Sequence, residues 1–249
     1  MIILKSLQEI EKVRKACLVV ADVLDDIRGL VRPGVSTEAL DEYAERRILA
    51  AGAKPAFKGY RGYPKTLCTS INNEVIHGIP AKDVVLSQGD IVSIDVGAIV
   101  EGFYGDAAIT LPVGTITQEA AHLIKVTEES LYRGIEQAKA GNRLYDISYA
   151  VQSHVEAQGY SVVREFVGHG IGRSLHEDPQ IPNFGPQGQG PRIKPGMVFA
   201  VEPMVNMGGS ATVVREDGWT AVTVDGSLSA HFEHTIAVMP DGPWILTKK

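Results

Sequence analysis

Cysteine is almost missing from this chain. Cys17 and Cys68 are the only two among 249 residues. That is too few for the disulfide framework on which small secreted domains depend, and it fits a reducing compartment. Surplus positive charge is missing too: 24 Lys and Arg stand against 30 Asp and Glu, a net charge of −6. No basic cluster exceeds two or three residues, so the electrostatic footprint of a nucleic-acid binder is excluded and no direct nucleic-acid site is expected. No run approaches the roughly 18 apolar residues that span a membrane. The N-terminal MIILKSLQEIEKVRKAC becomes charged too early to carry the apolar segment of a signal peptide. A cytoplasmic protein without a membrane partner is the expectation. The remaining composition, 44% hydrophobic and 22% charged, is that of an ordinary globular chain, long enough for one large domain or two small ones.

What is present is a set of misplaced acids. Asp95 in IVSIDVGAIV, Asp106 in GFYGDAAIT, Glu202 in GMVFAVEPMV and Glu233 in AHFEHTIAV each sit in a strand-like apolar run that holds no Lys or Arg. A buried carboxylate without a partner neutralises or acquires a counter-charge. If the four converge, a cation cluster is the simplest compensation, and a metal enzyme follows.

The pattern around them alternates helices and strands. Ser6 and Glu9 are spaced as a capping box for a helix to about Leu30, which Pro33-Gly34 ends. Ser36 caps a second helix that stops at Gly52. Strand-like runs follow at 66–71, 84–86, 91–100 and 103–111. Thr117 opens a third helix to about Ala140, and Asp146 lies in the first turn of a fourth ending at Gly159. Further runs occupy 160–167, 197–206, 211–215, 219–224 and 230–238, and the Gly/Pro-rich stretch 183–196 reads as a surface loop.

This order repeats itself. An offset of 107 residues carries Gly34 and Gly52 onto Gly141 and Gly159, Leu40 onto Ile147, Ile48 onto Val155, Gly89 onto Gly196, and Asp95 onto Glu202. With 20 more residues inserted, Asp106 falls on Glu233 and Ile109 on Ile236. The fold class expected is α+β: duplicated helix-helix-strand units about a pseudo-two-fold axis, forming one curved, mainly antiparallel sheet covered by helices. A single domain spanning 1–249 is expected, its halves dividing near residue 114.

Asp95 and Asp106 flank a short turn at Val100-Glu101-Gly102, so pairing about it places both near cross-strand opposition on one face. His169, between Gly168 and Gly170, ends a strand-like run with its imidazole free to project. His122 and His154, on helices, read as ordinary structural histidines. Position 180 is Gln, so His176-Glu177 does not open a zincin HExxH, and GHGIG lacks the dinucleotide spacing. His231 shares strand parity with Glu233, which suggests packing or support near the acids. Four carboxylates and an imidazole suit Mn²⁺, Fe²⁺, Co²⁺ or Zn²⁺. Bridging carboxylates hold paired ions about 3.5–4 Å apart, and such ions lower the pKa of a water bound between them from 15.7 toward about 7. Metal-assisted hydrolysis is the chemistry expected.

YPKTLCTSINNEVIHGIP (63–80), SIDVGAIVEGFYGDAAIT (93–110), GHGIGRSLHEDPQIPNF (168–184), AVEPM (200–204) and HFEHTIAV (231–238) together resemble the type I methionine aminopeptidases of the pita-bread fold, over essentially the whole chain. The resemblance implies removal of N-terminal methionine from peptides and nascent chains by a metal-bridged hydroxide. It implies two divalent ions held by Asp95, Asp106, His169, Glu202 and Glu233, with Asp106 and Glu233 bridging. It implies that His77 contacts substrate near the scissile amide, that His176 bonds the scissile carbonyl, and that Glu202 also shuttles a proton. A methionine pocket maps to Tyr60, Tyr63, Cys68 and Trp219, with Leu175 or Phe57 as further walls, and the backbone near Asn72 resembles a monovalent-cation loop. Thioether contacts with such side chains are worth about 0.3–1.5 kcal/mol each. Leu175 departs from the Phe often found in the family. The short His169–Glu202 spacing leaves no space for the type II insertion, and with a helix starting at Ser6 no N-terminal extension is expected. A monomer with transient ribosome contact is expected. Proline-directed pita-bread aminopeptidases share the five ligands but usually carry another domain; non-catalytic peptide-binding modules of the fold typically lose ligands.

Overall fold

A computed structural model describes residues 1–249. The first helix, α1 (Leu7–Arg28), begins with the expected reciprocal cap. Ser6 Oγ accepts from Glu9 N–H at 3.3 Å and the Glu9 carboxylate accepts from Ser6 N–H at 3.1 Å. Its buried stripe of Ile10, Val13, Cys17, Val20, Leu24 and Ile27 follows the helical repeat. Ser36 caps α2 (Thr37–Ala50), and Thr117 caps α3 (Gln118–Gln137) through bonds to Ala39 and Ala120 N–H. In α4 (Leu144–Ala157) Asp146 accepts from Arg143 N–H at 2.7 Å.

Fifteen strands follow the chain. They are β1 (Lys54–Pro55), β2 (Leu67–Ile71), β3 (Glu74–Ile76), β4 (Ile91–Val100), β5 (Phe103–Pro112), β6 (Ser161–Val162), β7 (Gly168–Gly170) and β8 (Glu177–Ile181). After these come β9 (Val198–Val201), β10 (Met204–Asn206), β11 (Thr212–Val214), β12 (Ala221–Thr223), β13 (Ser229–His231), β14 (Glu233–Met239) and β15 (Gly242–Ile245). Nine strands build one antiparallel sheet along the path β1-β4-β5-β14-β9-β7-β8, with β2 also on β4 and β15 also on β14. Two small sheets, β13-β10-β6 and β11-β12-β3, lie beside it.

The β4–β5 hairpin turns on Glu101 (φ 52°) and Gly102 (φ 78°), the two left-handed residues that a tight turn between twisted strands requires. Strand parity then divides the hairpin. Ile94, Val96, Ala107 and Ile109 join Val20, Leu24 and Ile27 of α1 in the main core, each fully buried aliphatic contributing about 1.5–3 kcal/mol. Asp95 and Asp106 face the other way. At Gly105 the backbone of α1 comes so near that a Cβ would lie 2.5 Å from Cys17 N. Glycine there lets the helix clamp the strand beside Asp106.

Several expected runs are divided or displaced. The run 197–206 breaks into β9 and β10, because Pro203 lacks an N–H and restricts Glu202; that acid lies just past β9, not inside a strand. The run 230–238 breaks at Phe232, sending β13 into a different sheet from β14. The run 84–86 is no strand: it makes a single bridge, Ser36 to Val85, and Val84 and Val85 are exposed. The run 160–167 shrinks to β6. Strands β3, β8 and β15, short or polar, escape a reading based on apolar runs. No helix is long and apolar enough to cross a membrane.

Candidate metal centre

The pairing of β4 with β5 aligns Asp95 with Ala108 and Asp106 with Gly97, a diagonal on one face of the hairpin rather than direct opposition. β5 pairs with β14 only at Glu233–Ala108 and His234–Ala107, which brings Glu233 level with the two aspartates. Where that ladder opens, Thr235 replaces it. Its hydroxyl donates to Asp106 O at 2.7 Å and accepts from Asp106 N–H at 3.2 Å. On the other side of β14, Val201 pairs with His234, so Glu202 emerges beside Glu233, and Asn183 holds the Glu202 carbonyl at 3.0 Å. His169 in β7 pairs with Ala200 of β9 and completes the ring.

The ligand atoms of Asp106, His169 and Glu233 all lie within 4.8 Å of one another. Glu202 Oε1 is 3.5 Å from His169 Nε2 and Glu202 Oε2 is 3.7 Å from His231 Nε2. The mutual electrostatics bring in Asp95. Burial raises its carboxyl to about 7. Burial first, and the neighbouring carboxylates second, push Asp106, Glu202 and Glu233 well above the ordinary range, and Asp95 acts on all three. The imidazoles move oppositely. Burial first, and the neighbouring His176 imidazole second, lower His169 to about 3 and His77 to about 4. Burial and His77 lower His231 to about 3.

Above these acids lies a cavity of about 170 Å³. Phe57, Tyr60, Tyr63, Cys68, Leu175 and Trp219 form its apolar side. Tyr63 commits its hydroxyl to the carbonyls of Leu67 (2.9 Å) and Gly78 (3.0 Å), so its ring faces Trp219 edge-on at 5.1 Å. His77, at a positive φ of 61°, packs its ring against Phe166 at 5.8 Å and Trp219 at 6.2 Å. His176 sits over His169 with ring centres 4.3 Å apart, and its Nδ1 meets the Tyr60 hydroxyl at 2.8 Å.

The structure therefore gathers every candidate ligand, both auxiliary histidines and every pocket residue read from the sequence around one cavity. Asn72 lies elsewhere, its side chain bonded to Asp90 at 2.8 Å and Ile91 N–H at 3.1 Å. His122, against the Tyr160 hydroxyl, and His154, 3.2 Å from Glu129, stay outside the site. Sequence reasoning does not find Arg61, which lines the cavity, nor Phe166, Asn183, Thr110 and Thr235, which brace it. Only their adjacency in space marks them.

The sequence profile described as Metallopeptidase family M24 matches residues 11–240. The chain belongs to this family. A methionine aminopeptidase of Clostridium perfringens is 55% identical over 247 residues, covering 99% of both chains. Methionine aminopeptidase 1 of Bacillus subtilis is 52% identical over 248 residues, with both chains fully covered. The crystal structure of methionine aminopeptidase from Thermotoga maritima superposes with a TM-score of 0.99 at 49% identity, each chain covered completely. The curved antiparallel sheet with four helices is thus the pita-bread architecture of M24.

Membership in M24 implies a divalent metal, and the donors fit one. Asp95 Oδ1, Asp106 Oδ1 and Glu233 Oε1 are buried without any hydrogen-bond partner, a costly arrangement for carboxylates unless a cation satisfies them. His169 directs Nδ1–H to Gly170 O at 2.9 Å, which leaves the Nε2 lone pair for an ion. Oxygen donors with one imidazole and no thiolate suit hard to intermediate divalent ions.

Proposed function

We propose that this M24 peptidase is a methionine aminopeptidase that hydrolyses the peptide bond after an N-terminal methionine, on free peptides and nascent chains. One observation carries the reading: partnerless carboxylate oxygens and a free imidazole Nε2 form the floor of a cavity whose apolar wall is built from Cys68, Tyr63 and Trp219. Asp95, Asp106, His169, Glu202 and Glu233 would hold two divalent ions, drawn from Mn²⁺, Fe²⁺, Co²⁺ and Zn²⁺. When bound, the ions supply Lewis acidity and an activated water.

The remaining work belongs to the side chains. The methionine side chain fills the wall of Tyr60, Tyr63, Cys68 and Trp219, where it excludes water from the reacting bond. Burial raises the Cys68 thiol well above its ordinary pKa, so it remains protonated and serves as a soft contact for the thioether instead of a nucleophile. The Tyr60 hydroxyl donates to His176 Nδ1, so Nε2 carries the proton and donates it in a hydrogen bond to the scissile carbonyl and the developing oxyanion. Burial keeps His77 neutral beside the substrate amide. Glu202 moves the proton to the departing amine.

Turnover of Met-Ala-Ser, Leu-Ala-Ser and Ala-Pro peptides, measured after chelation and after adding back each ion, tests the reading. The expected outcome is cleavage of Met-Ala-Ser that stops in chelator and returns with metal. Full turnover in excess chelator refutes the metal requirement, and preference for Ala-Pro identifies a proline-directed aminopeptidase instead.

A further inference from the structure

His231 has no part in the steps above, yet it is among the most deeply buried polar residues, at 2% exposure. Its Nε2 has no hydrogen-bond partner. A buried N–H left in that state costs about 1–3 kcal/mol. Glu202 Oε2 lies 3.7 Å from it, while the other Glu202 oxygen is 3.5 Å from His169 Nε2. The Glu202 carboxylate thus lies between two imidazoles, one at each oxygen. They are not equivalent. His169 gives its proton to Gly170 O, so its Nε2 is a lone pair and repels a carboxylate oxygen unless a cation separates them. His231 is the imidazole that can donate. A shift of about 0.5–1 Å brings the pair to hydrogen-bond distance.

The mounting of His231 favours this role. The Thr110 hydroxyl donates to His231 O at 2.8 Å and accepts from His231 N–H at 2.9 Å. Its second acceptor position takes the Ser93 hydroxyl at 2.9 Å, which exhausts what a hydroxyl can do. Ser93 and Thr110 are a cross-strand pair of β4 and β5, the hairpin that carries Asp95 and Asp106. His231 is therefore bolted to the same rigid hairpin as two of the acids. Glu202, by contrast, lies beyond the end of β9 and has only its carbonyl tied down, by Asn183.

We infer that His231 is a positioning residue for Glu202: its Nε2–H donates to Glu202 Oε2 and so turns Oε1 toward His169 and the metal position. This inference rests on the peptidase reading for the role of Glu202. Groups that orient a ligand in this way typically contribute 10–100-fold to metal affinity or activity.

The test compares His231→Met, similar in length but without a donor, with His231→Gln, which keeps one. Mn²⁺ binding to the chelated protein is followed by calorimetry, and kcat and KM are measured on Met-Ala-Ser. His231→Met is expected to lose about 10–100-fold in Mn²⁺ affinity or kcat with KM nearly constant, and His231→Gln to recover most of the loss. A His231→Met protein equal to the parent in both, or a His231→Gln protein as impaired as His231→Met, overturns the inference. Nitrogen-15 NMR of histidine in the unsubstituted protein remains decisive even if a variant fails to fold. Nε2 of His231 is expected to be protonated and to shift when Mg²⁺ is exchanged for Zn²⁺, and an unprotonated Nε2 overturns the inference. Failure of the parent protein to cleave Met-Ala-Ser would sink the peptidase reading alone, since the affinity comparison still judges His231.

Discussion

Lys5 and Glu177 make an ion pair of 2.7 Å with side chains only 5% and 10% exposed. Glu177 follows His176 directly, and its carboxylate also accepts from the N–H groups of Arg173 (2.7 Å) and Ser174 (3.2 Å). Lys5 is anchored through its own N–H to Gly196 O at 2.7 Å. The turn that presents His176 is thus braced by the segment ahead of α1. Removing one member of a buried pair strands the other charge and typically costs about 3–5 kcal/mol, whereas replacing both leaves no charge to strand. Glu177→Gln keeps an amide oxygen for the two N–H donors but abandons the Lys5 ammonium, so a loss of about 3 kcal/mol is expected. Lys5→Met abandons an anion that retains two N–H donors, and about 2–3 kcal/mol is expected. At about 2–4 °C per kcal/mol for a chain of this size, each single variant melts roughly 4–12 °C lower. The double variant Lys5→Met/Glu177→Gln is expected to lose less than the sum of the two, by about 2 kcal/mol or more. Urea unfolding of the four proteins measures the cycle, and kcat on Met-Ala-Ser should fall with the single variants because His176 loses its brace. Losses that add to within about 0.5 kcal/mol would refute the reasoning, since independent sites add.

Chelation should expose the acid cluster in the pH profile of stability. The folded carboxyls are raised, Asp95 to about 7 and the others further, so each contributes stability at low pH that is lost as pH rises through its folded value. The buried histidines oppose this only below their unfolded value near 6.5. Between about pH 6.5 and 8 the chelated protein should therefore lose roughly 1.4 kcal/mol per pH unit for each proton it still holds; thermal melts that rise over that window contradict it. Gly105→Ala drives a Cβ to 2.5 Å from Cys17 N, and overpacking of this kind costs about 1–3 kcal/mol. Because Asp106 is the next residue, Mn²⁺ affinity should weaken with it, and calorimetry showing stability lost at unchanged affinity would separate the two. Tyr60→Phe removes the 2.8 Å bond to His176 Nδ1, and a bond worth about 1 kcal/mol predicts a roughly fivefold lower kcat. A rise in KM at constant kcat would make Tyr60 a wall of the methionine pocket and nothing more.

The acids are legible because they break a pattern: a carboxylate in IVSIDVGAIV or AHFEHTIAV has to be explained by something outside its own strand. The helices are legible for a similar local reason, since Ser6 with Glu9, Ser36 and Thr117 state where each begins. Local rules fail where pairing partners decide. Strand β8 (EDPQI) is polar and holds a proline, and it exists because β7 offers it an edge. The run 84–86 is apolar enough for a strand but finds one bridge; Leu86 enters the core while Val84 and Val85 remain exposed. Glu202 reads as the interior of a strand because its neighbours are apolar, yet Pro203 beside it withholds the N–H that a continuing ladder needs.

The sequence by itself determined which side chains stand out as candidates for the chemistry, through four acids without counter-charges, a 107-residue echo and glycines around His169. These are properties of spacing and composition, and they survive without coordinates. Only the tertiary structure decided how those groups face one another. The diagonal register of β4 on β5, the two-residue contact of β5 with β14, and the placing of Glu202 between His169 and His231 all depend on pairings between residues far apart in the chain. Arg61, Thr110 and Thr235 have no local signature because their roles are supplied by partners that the fold alone brings within reach.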